Sequence, residues 1–144
     1  MATISTYLTF NGTTEEAFNF YKSVFGGEFT EIHKFNTMPP QEGMPALSEE
    51  EGNRIMHVSF PIGTATLFGS DTLSSHDDVV FGNNFSISIN GDSKEEADKL
   101  FNGLSAGGKI TMPMESTFWG AYFGMFVDKF GIHWMINFDE NPQK

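Results

Sequence analysis

Apolar and polar residues alternate in the opening segment of the chain, TISTYLTF, residues 3–10. Ile4, Leu8 and Phe10 fall on one side of an extended chain, and mostly polar residues fall on the other. This period of two predicts a half-buried β-strand.

The apolar spacing then changes from that of a strand to that of a helix. Residues 11–27 predict an amphipathic helix that Thr13 or Thr14 caps and a pair of glycines ends. Two glutamates in the first turn suit the helix dipole. The apolar side chains at helical spacing form one face: Ala17, Phe20, Tyr21 and Val24.

The same order of patterns returns in the second half of the chain. An alternating segment, FSISIN at 85–90, leads into a second helical pattern at 90–108, in which Ser93 is the expected N-cap. The tripeptide EEA occurs at 15–17 and again at 95–97, and NG precedes it both times. A repeat of strand, cap, apolar face and glycine stop indicates a duplicated structural unit.

Each half continues with an extended segment and ends in a hairpin pattern. The first hairpin, residues 54–69, turns at Gly63, and the second, residues 121–138, turns at Gly131 within DKFG. Each half is therefore predicted to be a β-α-β-β-β module. The fold class predicted for the chain is α+β.

These patterns predict a single domain, residues 1–144, made of two modules. The first module spans 1–70, a linker spans 71–82, and the second module spans 83–144. The loop at 36–53 is either a lid over a pocket or an insertion without that role. Three apolar residues in the loop are compatible with a lid: Met38, Met44 and Leu47.

Composition and charge narrow the classes of function. The sequence has no cysteine, nineteen acidic and eight basic residues, and a net charge of −11. Nucleic-acid binding needs a basic face, and the same charge disfavours anionic membranes. The chain start lacks a signal-peptide pattern, and no apolar run approaches the ~20 residues that span a bilayer. We expect a cytoplasmic protein that binds neither nucleic acid nor membranes.

The sequence resembles the vicinal oxygen chelate superfamily, which includes glyoxalase I, extradiol dioxygenases and the bleomycin-resistance and fosfomycin-resistance proteins. The resemblance rests on the duplicated modules and on three segments: YLTFNGTTEEAFNFYKSVFGGEF, IMHVSFPIGTATLFGSD and TFWGAYFGMFVDKFGIHWMIN. Within the superfamily the chain is similar to the PhnB-like subgroup, whose members often carry the label 3-demethylubiquinone methyltransferase-like. No glycine-rich nucleotide-binding motif accompanies the resemblance.

The resemblance implies a curled mixed sheet in each module, with a helix on its convex side. Two modules then enclose a cleft, either within one chain or across a homodimer. Active members of the superfamily bind a divalent metal there through His or Glu side chains. The positions of this sequence that align with the metal ligands carry neutral side chains: Ser5, Leu67, Asn84 and Met135. We expect no bound cofactor, and a divalent metal stays open as the alternative.

The last strands supply most of the candidate binding residues. If the more apolar side of each strand packs on the helices, His57 and His133 face the cleft. The same logic places Tyr122, Phe126, Met135 and Asn137 in the cleft. It places another set under the helix: Phe123, Met125, Val127, Trp134, Ile136 and Phe138.

Two functions follow from these candidates. The first is binding of a small organic molecule in an aromatic-lined cleft without the usual metal centre. The second is a metal-dependent isomerase, lyase or dioxygenase with an atypical site around His57, Glu115 and His133, in which His57 and Glu115 are the expected catalytic residues. The expected ligand-binding residues are Tyr7, Asp71, Trp119, Tyr122, His133 and Asn137. For each histidine the alternative is a structural hydrogen bond to the backbone.

Overall fold

The structure is a computed structural model that describes residues 2–37, 39, 43, 46–74 and 78–140. The chain divides into two compact units, Met1–Val80 and Phe81–Lys144. The boundary between the units falls inside the predicted linker. Each unit contains one complete β-α-β-β-β module.

Within its described residues, the first module has four strands, two α-helices and a 3-10 helix at Phe35–Thr37. Its elements are β1 Thr6–Phe10, α1 Thr14–Phe25, β2 Glu31–Lys34, α2 Glu49–Gly52, β3 Ile55–Ile62 and β4 Ala65–Asp71. The order of the strands in the sheet is β1-β4-β3-β2. Strand β1 is parallel to β4, and the other neighbouring pairs are antiparallel.

The second module repeats this arrangement. Its elements are β5 Ile87–Asn90, α3 Lys94–Ser105, β6 Lys109–Ser116, β7 Ala121–Val127 and β8 His133–Asp139. The strands lie in the order β5-β8-β7-β6, with β5 parallel to β8. Two four-stranded mixed sheets with few helices confirm the predicted α+β class and the duplication of the module.

One face of each sheet packs against the long helix of its module. In the first module Phe18 of α1 lies over Gly69 of β4, and a Cβ atom at that glycine would overlap the phenylalanine ring. In the second module Phe101 of α3 lies over Gly124 of β7, where an added Cβ would be 2.8 Å from Phe101 Cε2. A glycine under a helix phenylalanine is therefore a shared feature of the two modules.

The buried face of α1 agrees with the predicted spacing at Ala17 and Tyr21, whereas Phe20 and Val24 are half-buried. In α3 the apolar residues at helical spacing are buried: Ala97, Leu100, Phe101 and Leu104. In α1 the buried aromatic residue beside Ala17 and Tyr21 is Phe18, whereas the predicted Phe20 is half-buried. Phe18 points at the sheet because Gly69 leaves room for its ring.

The two long helices are capped in different ways. Ser93 caps α3 by accepting a hydrogen bond from Glu96 N at 3.0 Å, as predicted. Thr13 precedes α1 without a side-chain capping bond. The carboxylate of Asp71 takes that role from β4, because its Oδ1 accepts hydrogen bonds from Thr14 N at 3.0 Å and Gly12 N at 2.9 Å.

The predicted lid segment, residues 36–53, contains the short helix α2. Ser48 caps this helix by accepting a hydrogen bond from Glu51 N at 3.1 Å. Glu51 Oε2 accepts from Ser74 N and from Ser74 Oγ at 3.0 and 2.7 Å, and these bonds lower the pKa of Glu51. The lid itself stays a prediction, and Met38 and Met44 lie outside the described residues.

The helices of this chain are short. Within the part of the chain that the structure describes, none combines the length and the apolar character required to cross a bilayer.

Candidate functional site

The sheet of the first module has a face that points away from α1. Side chains alternate along each strand, so residues next to buried helix-facing positions project to the opposite side. Val58 and Phe60 are fully buried on the helix side, which places His57 on the other side, as the alternation predicted. On β1, Leu8 is buried on the helix side and Tyr7 is 52% exposed.

Three rings meet on this side of the sheet. Tyr7 on β1 is the register partner of Phe68 on β4, and the two rings stack at an interplanar angle of 17°. Their centroids are 6.2 Å apart, and the ring of His57 lies 6.1 Å from Tyr7 and 5.7 Å from Phe68. We call Tyr7, His57 and Phe68 the aromatic face.

Two polar groups lie next to the aromatic face. His57 Nε2 is 2.9 Å from Ser59 Oγ and 3.9 Å from Glu31 Oε2. Ser59 is buried, whereas the Glu31 side chain is 59% exposed. The imidazole thus has a hydroxyl partner within hydrogen-bond distance and a carboxylate close by, which is a suitable arrangement for binding a polar group or for moving a proton.

In the second module, pairing within the β7–β8 hairpin reverses part of the prediction. Tyr122 pairs with Phe138, and Phe126 pairs with Trp134. Trp134 and Phe126 are buried, and Phe126 packs edge-on against Phe101 of α3. Residues that pair across a sheet share a face, so Tyr122 and Phe126 lie on the helix side. Their predicted position in the cleft is wrong.

The position of Tyr122 on the helix side explains its hydrogen bond to Asp98 and its raised pKa. Its hydroxyl donates a 2.6 Å hydrogen bond to Asp98 Oδ1 on α3, and Lys94 Nζ lies 4.5 Å from its ring centroid. The hydrogen bond to Asp98 raises the pKa of Tyr122 to about 12, with smaller contributions from burial and from the charges of Asp98 and Glu140. Tyr122 therefore joins helix to sheet.

The opposite side of this sheet carries residues that were predicted to lie under the helix. Phe123, Met125 and Val127 pair with Asn137, Met135 and His133, respectively. All six are half-buried, and they share the side away from α3. The predicted placement of Phe123, Met125 and Val127 under the helix is wrong, because the hairpin register sets their side. His133, Met135 and Asn137 do lie on the side away from the helix.

Glu115 and His133 are far apart on this side of the second sheet. Glu115 pairs with Phe123, which pairs with Asn137, whereas His133 lies four residues from Asn137 along β8. At a rise of about 3.3 Å per residue, four residues separate His133 from the strand position level with Glu115 by roughly 13 Å. Donor atoms must lie about 2 Å from a metal ion that they share. One metal ion therefore does not fit between Glu115 and His133.

The positions that align with the superfamily's metal ligands offer no alternative centre. Leu67 is buried on the side of the first sheet that faces α1, and Met135 lies on the side of the second sheet away from α3. Ser5 and Asn84 lie before the first strand of their modules. Among the residues that the structure describes, no three His, Asp or Glu side chains form a group suited to a metal ion. The side chains present do not fit the divalent centre that the fold implies.

Asp71 has a structural role in the first module. It is 4% exposed, and its Oδ1 accepts a third hydrogen bond, from Thr14 Oγ1 at 2.6 Å. Its Oδ2 accepts from Ile55 N at 2.8 Å. Both oxygens join the start of α1 to the start of β3, so we do not include Asp71 among the ligand-binding candidates.

Trp119 lies in the turn between β6 and β7. Thr117 closes this turn, since its backbone N donates to Ala121 O at 2.7 Å and its Oγ1 accepts from Ala121 N at 3.0 Å. Phe118 and Trp119 are 97% and 63% exposed, and their rings meet edge-on with centroids 5.0 Å apart. Trp119 is not paired across the sheet with His133 or Asn137.

The prediction missed two residues on the faces away from the helices. Phe68 belongs to the aromatic face, and Met125 pairs with Met135. The signal for Phe68 was the parallel pairing of the first and last strands of the module, which sets Phe68 beside Tyr7. The signal for Met125 was the hairpin register around DKFG.

Comparison with known proteins places the chain in a family. Residues 2–137 match the model of the 3-demethylubiquinone-9 3-methyltransferase family. The chain belongs to this PhnB-like family. The family match confirms the predicted similarity to the PhnB-like subgroup.

Solved structures agree with this assignment. Protein PA1353 from Pseudomonas aeruginosa is 37% identical, covers 96% of this chain and 98% of its own, and superposes with a TM-score of 0.82. A putative 3-demethylubiquinone-9 3-methyltransferase, PhnB protein, from Bacillus cereus is 28% identical over 95% and 99% of the two chains, with a TM-score of 0.75. A glyoxalase/bleomycin resistance protein/dioxygenase family enzyme from Burkholderia phytofirmans shares the fold at 17% identity over 93% and 97%, with a TM-score of 0.57.

Proposed function

We propose that this protein binds a small, planar organic molecule at the aromatic face of the first module. The observation that carries the proposal is the meeting of three rings, Tyr7, His57 and Phe68, with centroids 5.7 to 6.2 Å apart on the side of the sheet away from α1. Tyr7 is half exposed, so a ligand reaches its ring without displacing the core. The proposal includes that this face lines the cleft predicted from the sequence.

The physical basis is stacking together with a small number of polar contacts. An aromatic pair contributes about 0.5–1.5 kcal/mol beyond the apolar area that it buries. Two rings with an interplanar angle of 17° offer a planar ligand two surfaces of similar orientation. Ser59 and His57 add a hydroxyl and an imidazole for orienting a polar substituent.

A binding titration with a planar probe tests this proposal. We expect 1-naphthol to bind the purified protein, with Phe68→Leu and Tyr7→Leu each weakening its affinity about fivefold to tenfold through lost stacking. Phe118→Leu is the matched control, because it removes a ring that is 97% exposed in the second unit. Equal affinities for Phe68→Leu and the unaltered protein would contradict the proposal.

A second candidate function is acid–base catalysis by His57. Its support is the position of His57 Nε2, 2.9 Å from Ser59 Oγ and 3.9 Å from Glu31 Oε2, which allows the imidazole to take up or release a proton next to a bound ligand. The reaction class that we propose for this candidate is an isomerase or lyase reaction, because such reactions depend on proton transfer. His57→Gln keeps a polar side chain there and is expected to abolish turnover of an isomerase or lyase substrate, while 1-naphthol still binds, with lower affinity, through Tyr7 and Phe68.

Methyl transfer, to which the family name refers, has less support in this chain. The sequence carries no glycine-rich strand-to-helix motif for a nucleotide-type cofactor. We therefore favour ligand binding without a cofactor over methyl transfer. Incubation with a radiolabelled sulfonium methyl donor, followed by filtration, distinguishes the two, since retention of one equivalent of label would count against this choice.

We also propose that the protein works as a homodimer and without a divalent metal centre. Neutral side chains at the four aligned ligand positions support the second statement. Elemental analysis of the purified protein is expected to show no stoichiometric Mn, Fe, Ni or Zn. Analytical ultracentrifugation is expected to give a mass twice that of the 16.0 kDa chain.

A further inference from the structure

Three methionines occupy neighbouring strands of the second module in one register row. Met112 on β6 pairs with Met125 on β7, and Met125 pairs with Met135 on β8. We call Met112, Met125 and Met135 the methionine row. Side chains that pair directly across strands have Cβ atoms about 5 Å apart, so the thioethers of neighbouring members can approach one point above the sheet.

The methionine row is accessible from the side of the sheet away from α3. Met112 is 45% exposed, and Met125 and Met135 are half-buried. His133 lies two residues before Met135 on β8, so its imidazole projects from the same side. Three thioethers and one imidazole are thus concentrated on three adjacent strands.

Strand β6 is irregular on both sides of Met112. The register with β7 shifts between Ile110 and Met112, and it shifts again between Met112 and Glu115. Bulges of this kind re-aim individual side chains and occur preferentially beside functional sites. Two shifts around one residue set Met112 opposite Met125, which an uninterrupted strand starting from the pair of Ile110 and Phe126 would not do.

The donor atoms of this cluster select the class of ion. Thioethers are soft, uncharged ligands that bind Cu(I), whereas hard ions such as Mg²⁺ and Ca²⁺ require oxygen donors. The chain has no cysteine, so its eight methionines are its only sulfur ligands. A neutral thioether set with one imidazole suits a monovalent ion, because little charge has to be neutralised.

We propose that the methionine row, with His133, is a binding site for a soft monovalent metal ion of the Cu(I) class. Metal–sulfur distances of roughly 2.3 Å allow two donors of one ion to lie up to about 4.6 Å apart, which cross-strand neighbours reach. The proposal rests on residues of the second unit alone and does not depend on the function proposed for the aromatic face.

Anaerobic competition for Cu(I) against bicinchoninate tests the site. The protein is expected to withdraw one equivalent of Cu(I) from the chelator, and Met125→Leu and Met135→Leu are each expected to weaken the affinity at least tenfold. Leu preserves the apolar volume of Met and removes the sulfur, so the fold is retained. Circular dichroism spectra and melting temperatures verify that each variant is folded.

Met114→Leu is the matched control on the same strand. The Met114 Sδ would lie 2.7 Å from a Cβ at Gly124, next to Phe101, so it belongs to the helix side of the sheet. Its substitution is expected to leave Cu(I) affinity unchanged. No withdrawal of Cu(I), an equal loss in Met114→Leu, or full affinity in the Met125→Leu and Met135→Leu variants would overturn the proposal. The last result would leave the methionine row as an apolar surface only.

Discussion

The two modules share strand order, helix position and a glycine under a helix phenylalanine, yet their helices are fixed by different means. The N-terminus of α1 is held by Asp71, a residue 57 positions later in the sequence. The N-terminus of α3 is held by Ser93, immediately before the helix. One module depends on a long-range buried carboxylate, and the other depends on a local cap that forms with the helix itself.

The sides of the sheets away from the helices differ even more. Tyr7 and Phe68 pair on the first and last strands of the first module, where the second module pairs Ser88 with Met135. Packing against a helix constrains one side of each sheet, and the other side is free of that constraint. The two ligand sites that we propose both lie on the sides away from the helices, where the modules differ.

Loss of the long-range cap should have the largest effect on stability. Asp71→Ala removes the acceptor of four hydrogen bonds and leaves buried donors at Thr14 and Ile55, so we expect a loss of about 3–4 kcal/mol in the free energy of unfolding. Ser93→Ala should cost about 1 kcal/mol, the usual value of an N-cap. Urea unfolding measures both losses.

Asp78→Ala is the control for this comparison, because Asp78 is an exposed aspartate of the same unit. Its substitution should change the free energy of unfolding by less than about 0.5 kcal/mol. Similar losses for Asp71→Ala and Ser93→Ala would show that the two helices do not differ in how they are held.

The glycines under the helix phenylalanines should give the next largest effect. Gly124→Ala places a methyl group 2.8 Å from Phe101 Cε2 and 2.7 Å from Met114 Sδ, and Gly69→Ala makes a closer overlap with Phe18. Overpacking of this kind costs about 1–3 kcal/mol. We expect both variants to be destabilised in thermal unfolding, and Gly69→Ala more strongly. A stable Gly69→Ala variant would contradict the shared role of the two glycines.

The features that could be predicted from the sequence are those with short-range signals. Ser93 precedes its helix directly, and the apolar positions of α3 repeat at helical spacing, so both were predictable from local pattern. The capping role of Asp71 was not, because no local pattern connects it to Thr14. The same holds for Phe68, which meets Tyr7 only through the pairing of the first and last strands.

The two errors in the second module have one physical cause. The side on which a strand residue projects depends on register, and an error of one residue moves every side chain to the other side. Apolar residues occupy both sides of β7, so hydrophobicity alone does not identify the side under the helix. The pairing of Phe126 with the buried Trp134 identifies that side. Tyr122 lies four residues before Phe126 on the same strand and therefore projects to the helix side as well.

The hydrogen bond between Tyr122 and Asp98 should give a smaller effect, and one that depends on pH. The pKa of Tyr122 is raised from 10.0 to about 12 in the folded protein, so the folded state holds this proton more tightly than the unfolded state. The resulting stability is present below about pH 10 and is lost as the pH rises toward 12. Tyr122→Phe should lose about 1 kcal/mol at neutral pH, since the bond is only partly shielded from water.

Urea unfolding of both proteins at a series of pH values on either side of about pH 10 checks this prediction. The unaltered protein and Tyr122→Phe should differ by a constant amount up to about pH 10, and the difference should narrow above it. A difference that grows with pH would contradict the hydrogen bond to Asp98, because it would require a lowered pKa in the folded state.

Exchanging the side chains that distinguish the two modules should have the smallest effect on stability. Phe68 and Met135 each lie on the last strand of their module and pair with a residue of its first strand. Both project away from the helix, so Phe68→Met and Met135→Phe should each change the free energy of unfolding by about 0.5 kcal/mol or less. Binding should change instead, with Phe68→Met weakening 1-naphthol and Met135→Phe weakening Cu(I). If either exchange impaired both ligands equally, the two faces would not be separate sites, and the division of function between the modules would have to be abandoned.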